Sequence, residues 1–133
     1  MIISTPDRYI HYMSRCWVGK SHDYRMLKYE FPPEQNWFKN HIVRLDSGYQ
    51  GFEKDYECQQ VIIPKKKSNR NPLTHQQKID NKEKSSKRIY VEHAIGGMKR
   101  YRILSDRLRI HDCDNYNSIV EICAGLWNFQ LNN

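Results

Sequence analysis

Apolar residues follow two different patterns along this chain of 133 residues, and the change from one to the other is what most constrains the fold. Short β-prone runs occupy the first half, at residues 1–5, 9–14, 41–46 and 61–63. From Thr74 onward, the apolar residues recur at helical spacing instead. Strands combined with helical segments in this way predict an α/β fold.

Local turn and cap residues predict the ends of several elements. Pro6-Asp7-Arg8 is turn chemistry between the first two runs, which are therefore expected to form a β-hairpin. A short helix should follow, with a cap at Ser21-His22-Asp23 and an end at Pro32-Pro33. Asp112 and Asp114 are candidate caps of a terminal helix that is predicted to be buried. Its apolar stripe comprises Tyr116, Ile119, Val120, Cys123, Trp127 and Gln130, widened by Ile122, Leu126 and Phe129.

The helical stretch that begins at Thr74 contains two features that weaken it. A break is expected near Ser85-Ser86, and Gly96-Gly97 lies in the second half. Each glycine costs about 1 kcal/mol relative to alanine in a helix. A requirement other than helix propensity must favour these glycines, and a close approach of another backbone or of DNA is one candidate.

Positive charge is concentrated in one block of the sequence. Residues 61–110 hold 14 Lys and Arg against 4 Asp and Glu, a surplus of ten. Since the whole chain carries +7, the rest carries −3. Such a block fits a polyanion, of which nucleic acid is the commonest. A solvated surface that maintains solubility explains the same charges, so charge alone leaves both interpretations open.

Several classes of protein are not indicated. The four cysteines form no CxxC pair and no secretory signal is recognisable, which predicts a reduced, cytoplasmic protein. No apolar run approaches the roughly 20 residues that span a bilayer, so no membrane partner is expected. His111 and Cys113 lack further ligands for zinc. The motifs of serine hydrolases, P-loop proteins and dinucleotide-binding proteins do not occur.

One carboxylate stands at the end of a predicted strand. Asp46 closes the run from His41 and precedes the turn Ser47–Gly51. A carboxylate at the carboxyl end of a strand is held rigidly and faces the ligand crevice of an α/β sheet. The alternative is an ordinary turn aspartate that accepts hydrogen bonds from its own backbone.

A second carboxylate, Glu92, lies in the helical stretch among basic residues. Arg88 and Lys99 share its helix face. A surface ion pair between Arg88 and Glu92, worth about 0.3–0.5 kcal/mol, explains this arrangement without any function. However, Val91 and Ile95 flank Glu92, and a carboxylate at the edge of an apolar side also suits a hard divalent cation.

The basic residues of the block are candidate contacts for the DNA backbone. Such contacts neutralise phosphates and fix position without reading sequence. Tyr90 and Tyr101 can stack on a base, although core packing explains at least one of them as well. The candidate DNA-binding residues are Lys65, Lys66, Lys67, Arg70, Arg88, Lys99, Arg100 and Arg102.

Taken in order, these segments resemble the DDE-type transposases of bacterial insertion sequences, within the insertion-sequence and Harbinger-like group of DDE superfamily endonucleases. Leu45–Gly51 resembles the second catalytic aspartate motif of that family, and Arg88–Gly96 resembles the third motif. Glu92 follows Asp46 by 46 positions, in the family's order and separation. Since Ile122–Phe129 is similar to the family's terminal helix, the resemblance covers essentially the whole chain.

The resemblance implies a ribonuclease H-like fold, with a mixed central sheet flanked by helices, and metal-dependent DNA cleavage and strand transfer. It makes Asp46 the second and Glu92 the third acid of an Asp, Asp, Glu triad, so both are expected to be catalytic and to bind Mg²⁺ or Mn²⁺. It also implies that Arg88 and Lys99 contact the DNA backbone near the scissile phosphate. The expected DNA partners are transposon ends and a target.

One part of the family's pattern is missing. The family's first aspartate lies on the first strand in an Asp-Gly-Thr or Asp-Cys-Thr setting, and no such setting occurs here. Asp7 in a predicted turn and Asp23 at a helix start are poor replacements. Residues 1–133 are therefore expected to be the C-terminal portion of the catalytic domain, lacking its first strand and, alone, full strand-transfer activity. The expected protein partners are further copies of the chain in a homo-oligomer or an upstream-encoded transposase fragment.

Two further hypotheses remain open. A non-catalytic DNA-binding regulator of the parent transposase predicts salt-sensitive DNA binding without a response to metal. A remnant without function predicts poor folding, because the neighbours of the absent strand would expose unpaired edges.

Overall fold

The computed structural model describes residues 1–17, 19, 21–67, 72–86, 89–106 and 112–133. These residues form two compact units, the first from Met1–Gly19 and Ile89–Asn133 and the second from Lys20–Arg88. The chain is a mixed α/β protein, as the sequence predicts. Its elements in chain order are β1 (Ile2–Ser4), β2 (Ile10–Met13), α1 (Asp23–Glu30), β3 (Ile42–Arg44), a 3₁₀ turn (Ser47–Tyr49), α2 (Phe52–Asp55), β4 (Gln60–Ile62), α3 (His75–Ser86), α4 (Ile89–Met98), α5 (Arg102–Ser105) and α6 (Cys113–Leu131).

In the first unit, β1 and β2 form the predicted antiparallel hairpin. Ile3 lies opposite Tyr12, and the register shifts between Ile3 and Ser4. Arg8 closes the turn with a φ of 73°, in the left-handed region that non-glycine residues seldom adopt. Its amide donates to the Thr5 carbonyl at 2.9 Å, which makes the turn tight.

The core of the first unit lies between α4, α6 and the hairpin. Ala94 and Met98 of α4 pack with Cys123, Ala124 and Trp127 of α6, and Ile10 of β2 completes the cluster. Asn128 fixes the hairpin to α6, because its side chain bonds both backbone groups of Ile10: its Oδ1 accepts from the Ile10 amide at 2.9 Å and its Nδ2 donates to the Ile10 carbonyl at 2.8 Å. The indole of Trp127 donates to the Arg8 carbonyl at 3.0 Å.

The glycine pair of α4 has a structural explanation that the sequence did not reveal. A Cβ at Gly97 would overlap the six-membered ring of Trp127, whereas a Cβ at Gly96 would meet nothing within 4 Å. The group that approaches Gly97 is therefore the side chain of Trp127 in α6. This finding answers the question that the sequence left open, and it concerns only one of the two glycines.

The prediction of a fully buried terminal helix is wrong in part. Cys123, Ala124 and Trp127 are buried. However, Ile122 and Phe129, which were expected to widen the buried stripe, are 62% and 67% exposed, and Leu126 and Gln130 are exposed as well. The core of the first unit covers only one side of the apolar surface of α6.

In the second unit, β3 and β4 form a parallel pair, with Val43 opposite Val61. The amide of Leu45 donates to the Ile62 carbonyl at 3.0 Å, which extends the ladder one residue beyond β3. The described strands thus form two separate two-stranded sheets, and a single mixed central sheet does not occur among them.

An aromatic cluster forms the core of the second unit. Phe52, only 1% exposed, stacks on Tyr56 with ring centroids 4.6 Å apart. Phe38 contacts both of these rings, and Phe31 contacts Phe38. The cluster packs α2, which belongs to the connection between β3 and β4, against Phe31 and Phe38.

The predicted helix ends are confirmed where the structure describes them. His22 caps α1, with its Nδ1 accepting from the Tyr24 amide at 3.3 Å, and the helix ends at Glu30, before the two prolines. Thr74 and Gln77 form a reciprocal capping box at the start of α3. The break predicted near Ser85-Ser86 stays a prediction, because the two residues between the end of α3 at Ser86 and the start of α4 at Ile89 lie outside the described residues.

Candidate functional site

Asp46 lies directly after the parallel strand pair, at the carboxyl edge of β3. It caps the 3₁₀ turn, and its Oδ1 accepts a hydrogen bond from the Gly48 amide. A Cβ at Gly48 would lie 2.8 Å from that same oxygen, so a glycine at this position leaves room for the carboxylate. The structure therefore shows the local geometry of a turn aspartate and also the strand-end placement that a ligand site requires.

Tyr49 brings a second carboxylate into the neighbourhood of Asp46. Burial, followed by the negative charges of Asp23 and Asp46, raises the pKa of Tyr49 far above its usual range. The ring of Tyr49 also meets Tyr24 edge-on, with centroids 6.1 Å apart, because α1 packs against the 3₁₀ turn. The charges of both Asp23 and Asp46 thus disfavour ionisation of the Tyr49 phenol.

Sequence reasoning did not find this arrangement. The sequence places Asp23 at the start of α1, where it lies in the structure. Nothing in the sequence connects it with Asp46, which is 23 positions later. The His22-Asp23 pair indicates only the start of the helix. Packing of α1 on the 3₁₀ turn supplies the connection.

A polar network connects α1 with α2. The Tyr24 hydroxyl donates to Asp55, and Lys28 pairs with the same carboxylate at 2.5 Å. The hydrogen bonds from Lys28 and Tyr24 hold the pKa of Asp55 below its usual range. Burial, with the hydrogen bond to Asp55, raises the pKa of Tyr24 beyond its usual range. This network fixes α1 to α2.

Glu92 belongs to the first unit, in the first turn of α4, where an acidic side chain interacts favourably with the helix dipole. Its side chain is exposed, while Val91 and Ile95 beside it are half-buried, so it stands at the edge of the apolar side as expected. Arg88, its proposed ion-pair partner, lies outside the described residues.

Asp46 and Glu92 provide the right type of donor for a hard divalent cation, since both offer carboxylate oxygens. Among the residues that the structure describes, no three His, Cys, Asp or Glu side chains come together as a metal-binding group. Asp46 lies in the second unit and Glu92 in the first. The described part of the chain thus contains the two carboxylates that the sequence predicts for the triad, but no group of three candidate ligands.

The lysines that follow β4 form an exposed segment. Lys65, Lys66 and Lys67 are all exposed and consecutive. Since β3 and β4 are parallel neighbours, this segment leaves the sheet at the same edge as Asp46. The structure thereby brings the predicted lysines to the strand end that carries the predicted second acid.

Two comparisons with known proteins identify the family. Residues 1–128 match the sequence family described as DDE superfamily endonuclease. This chain belongs to that family. It is also 31% identical, over 113 residues, to the probable transposase for insertion sequence element IS702 from Microchaete diplosiphon, an alignment that covers 85% of this chain and 39% of the relative. The chain thus spans about two-fifths of that relative's length, and no solved structure matches it.

The remaining basic candidates of this DDE superfamily chain fall into two groups. Lys99, Arg100 and Arg102 are exposed around the end of α4 and the start of α5 in the first unit. Arg102 forms an exposed ion pair with Asp106 at 3.3 Å. Arg70, like Arg88, lies outside the described residues.

Tyr90 and Tyr101, the two candidates for stacking on a base, differ in their surroundings. Tyr101 packs partly buried against the core of the first unit, which confirms the packing role expected for at least one of them. Tyr90 is 43% exposed. Of the two, Tyr90 therefore has the more accessible ring.

Across the described ranges, no helix is both long and apolar enough to span a bilayer.

Proposed function

We propose that this chain is the C-terminal portion of a DDE transposase catalytic domain and takes part in metal-dependent cleavage and strand transfer of DNA. The observation that carries the proposal is the placement of Asp46 at the carboxyl end of a parallel strand pair, beside three exposed lysines. Membership of the DDE superfamily endonucleases and the likeness to an insertion-sequence transposase support it.

In this proposal, Asp46 and Glu92 are the second and third acids that bind Mg²⁺ or Mn²⁺. Such ions, when bound, polarise a phosphate and activate water or a DNA 3′-hydroxyl. The contribution of this chain is to hold the carboxylates. The Gly48 amide orients the side chain of Asp46, and α4 presents Glu92 from its first turn.

The first aspartate is supplied by residues outside these 133. Asp7 accepts from Thr5 within the hairpin turn, and Asp23 lies in the first turn of α1, so neither stands on a strand. A ribonuclease H-like fold requires one mixed sheet, whereas the described strands form two pairs. A strand outside these residues that carries the missing acid would complete the triad, and an upstream-encoded transposase fragment would provide it.

The DNA partners in this proposal are transposon ends and a target. Lys65, Lys66 and Lys67 contact backbone phosphates near Asp46, and the group around Lys99 does so near Glu92. Arg70 and Arg88 remain DNA-binding candidates on the basis of the sequence. Such contacts supply affinity and register without reading bases.

A complementation assay tests the proposal. The chain is mixed with the polypeptide encoded directly upstream, Mn²⁺ and a labelled transposon end, and nicking is followed on a denaturing gel. We expect nicking only in the mixture. Asp46→Asn or Glu92→Gln should reduce the nicking rate at least about 100-fold, because mutating even residues that only support a metal ligand lowers activity about 10–100-fold. Asp80→Asn, an exposed acid of α3, is the matched control.

Two outcomes would refute parts of this proposal. Efficient nicking by the chain alone would show that the first acid is not missing. Nicking that survives both Asp46→Asn and Glu92→Gln would show that these carboxylates are not the metal ligands.

A DNA-binding regulator without catalysis is the second candidate. The exposed lysines Lys65, Lys66 and Lys67 fit it equally well, because contacts with DNA phosphates require no metal. This candidate predicts salt-sensitive DNA binding that is unaffected by Mn²⁺ and by Asp46→Ala, whereas the transposase proposal predicts a response to both.

A further inference from the structure

The backbone of Lys65 is held at two points by one side chain of α3. Asn81 Oδ1 accepts from the Lys65 amide at 2.8 Å, and Asn81 Nδ2 donates to the Lys65 carbonyl at 2.8 Å. Both hydrogen-bonding groups of this backbone residue are therefore engaged, as they would be in a β-ladder. The side chain of Lys65 remains exposed.

Two more side chains hold the residues just before Lys65. Lys84, one turn after Asn81 in α3, donates from Nζ to the Ile63 carbonyl at 3.2 Å. Gln50 donates from Nε2 to the Pro64 carbonyl at 2.9 Å. Three consecutive backbone residues, 63–65, thus receive side-chain hydrogen bonds, and we call Gln50, Asn81 and Lys84 the anchor.

The anchor is not explained by the packing of a core. The helix that provides two of its members, α3, has no buried residue, and Ile79 in its middle is 49% exposed. The segment that it holds is exposed from Lys65 onward. The hydrogen bonds of these polar side chains therefore restrict the motion of a charged surface segment.

The third member of the anchor connects this segment with Asp46. Gln50 follows the 3₁₀ turn that Asp46 caps, so the same short stretch carries the carboxylate and binds the Pro64 carbonyl. The lysine segment and Asp46 are consequently held at one strand edge by direct contacts within the second unit.

We propose that Gln50, Asn81 and Lys84 are positioning residues that hold Lys65–Lys67 as a preformed strip for the phosphates of duplex DNA beside Asp46. This inference rests on the proposed function, which supplies DNA as the ligand. A fixed backbone lowers the entropy that the lysines lose on binding, because only their side chains remain to be ordered. The anchor thus contributes to DNA binding without itself contacting DNA.

The salt dependence of DNA binding by the full chain tests this inference. Fluorescence anisotropy with a labelled 30-base-pair duplex gives the slope of log affinity against log salt, which reports the number of phosphates neutralised. Replacing Lys65, Lys66 and Lys67 together with Gln should reduce the slope by about three units. Asn81→Ala should weaken binding about tenfold at a fixed salt concentration, although it removes no charge, because the backbone of Lys65 must then be ordered on binding. Gln76→Ala is the matched control, since that amide bonds Asp80 within α3.

Amide hydrogen exchange at Lys65 provides the second readout. The Lys65 amide should exchange faster in Asn81→Ala than in Gln76→Ala, because its acceptor has been removed. Gln50→Ala should weaken DNA binding in the same way from outside α3, which covers the case in which Asn81→Ala fails to fold.

The outcomes separate the inference from the function on which it rests. A triple lysine variant with the wild-type slope would refute the proposed DNA contact of the lysines. If that variant loses slope while Asn81→Ala and Gln50→Ala behave like Gln76→Ala, the anchor has no positioning role and the inference falls alone. Faster exchange at Lys65 together with wild-type affinity for DNA would overturn it as well.

Discussion

Two asparagines, one in each unit, make the same pair of hydrogen bonds in opposite surroundings. Asn128 of α6 binds the amide and carbonyl of Ile10, which is 6% exposed, and Asn81 of α3 does the same for the exposed Lys65. Beside Asn128, the buried Trp127 adds its own bond to the hairpin. The same device thus stabilises a core in the first unit and orders a charged surface in the second.

Burial determines how much folding stability is lost when either asparagine is replaced. A backbone group without a partner in an apolar core keeps its full desolvation penalty, whereas an exposed one regains water. The comparison therefore predicts that changes in the first unit mainly reduce stability. Replacement of Asn81 in the second unit should mainly alter DNA binding.

The largest effect is expected at the contact between α4 and α6. Gly97→Ala places a methyl group within the ring of Trp127 and should destabilise the protein by about 3 kcal/mol, the upper part of the usual range for overpacking. Gly96→Ala, with open space around it, should instead stabilise by up to about 1 kcal/mol through helix propensity. Urea unfolding followed by circular dichroism measures both. Equal effects of the two variants would contradict the close packing of the first unit.

The two asparagines themselves provide the next test. Asn128→Ala leaves both backbone groups of the buried Ile10 without that partner and should cost about 2 kcal/mol of unfolding free energy. Asn81→Ala should cost less than about 1 kcal/mol, because water reaches Lys65. The same unfolding experiment compares them. A larger loss for Asn81→Ala than for Asn128→Ala would reverse the comparison.

A smaller, pH-dependent effect is expected in the second unit, where Lys28 and Tyr24 bind Asp55. Because the folded pKa of Asp55 lies below its unfolded value of about 3.9, its stabilising contribution is complete above that pH and is lost on acidification through the folded pKa. Asp55→Asn should therefore lower stability at neutral pH and flatten its decline below about pH 4. Thermal unfolding between pH 2 and 7 measures this, and an acid limb identical to that of the wild-type protein would contradict it.

Local chemistry made much of the fold predictable. Proline and aspartate between two β-prone runs predict the hairpin, and the two prolines after Phe31 predict the end of α1. Likewise, a strand that runs into Asp46 and a glycine turn predicts the strand-end carboxylate. In each case the residues that determine the structure are neighbours in sequence.

Features that depend on distant residues were not predictable from one sequence. The need for Gly97 arises from Trp127, thirty positions away, and helical periodicity cannot tell which side of α6 the core covers. Asn81 reads as an ordinary polar helix residue until Lys65 is seen beside it. The proximity of Asp23 and Asp46 to Tyr49 depends in the same way on the packing of α1.

Binding of Mn²⁺ by the full chain tests the central claim, that Asp46 and Glu92 are metal-binding carboxylates, most directly. Electron paramagnetic resonance of free Mn²⁺ during a titration measures the affinity for the wild-type protein, Asp46→Ala, Glu92→Ala and the control Asp80→Ala. The account predicts weak binding that falls at least about tenfold in the first two variants and is unchanged in the control. Binding that is equal in the wild-type protein and Asp46→Ala would contradict the claim.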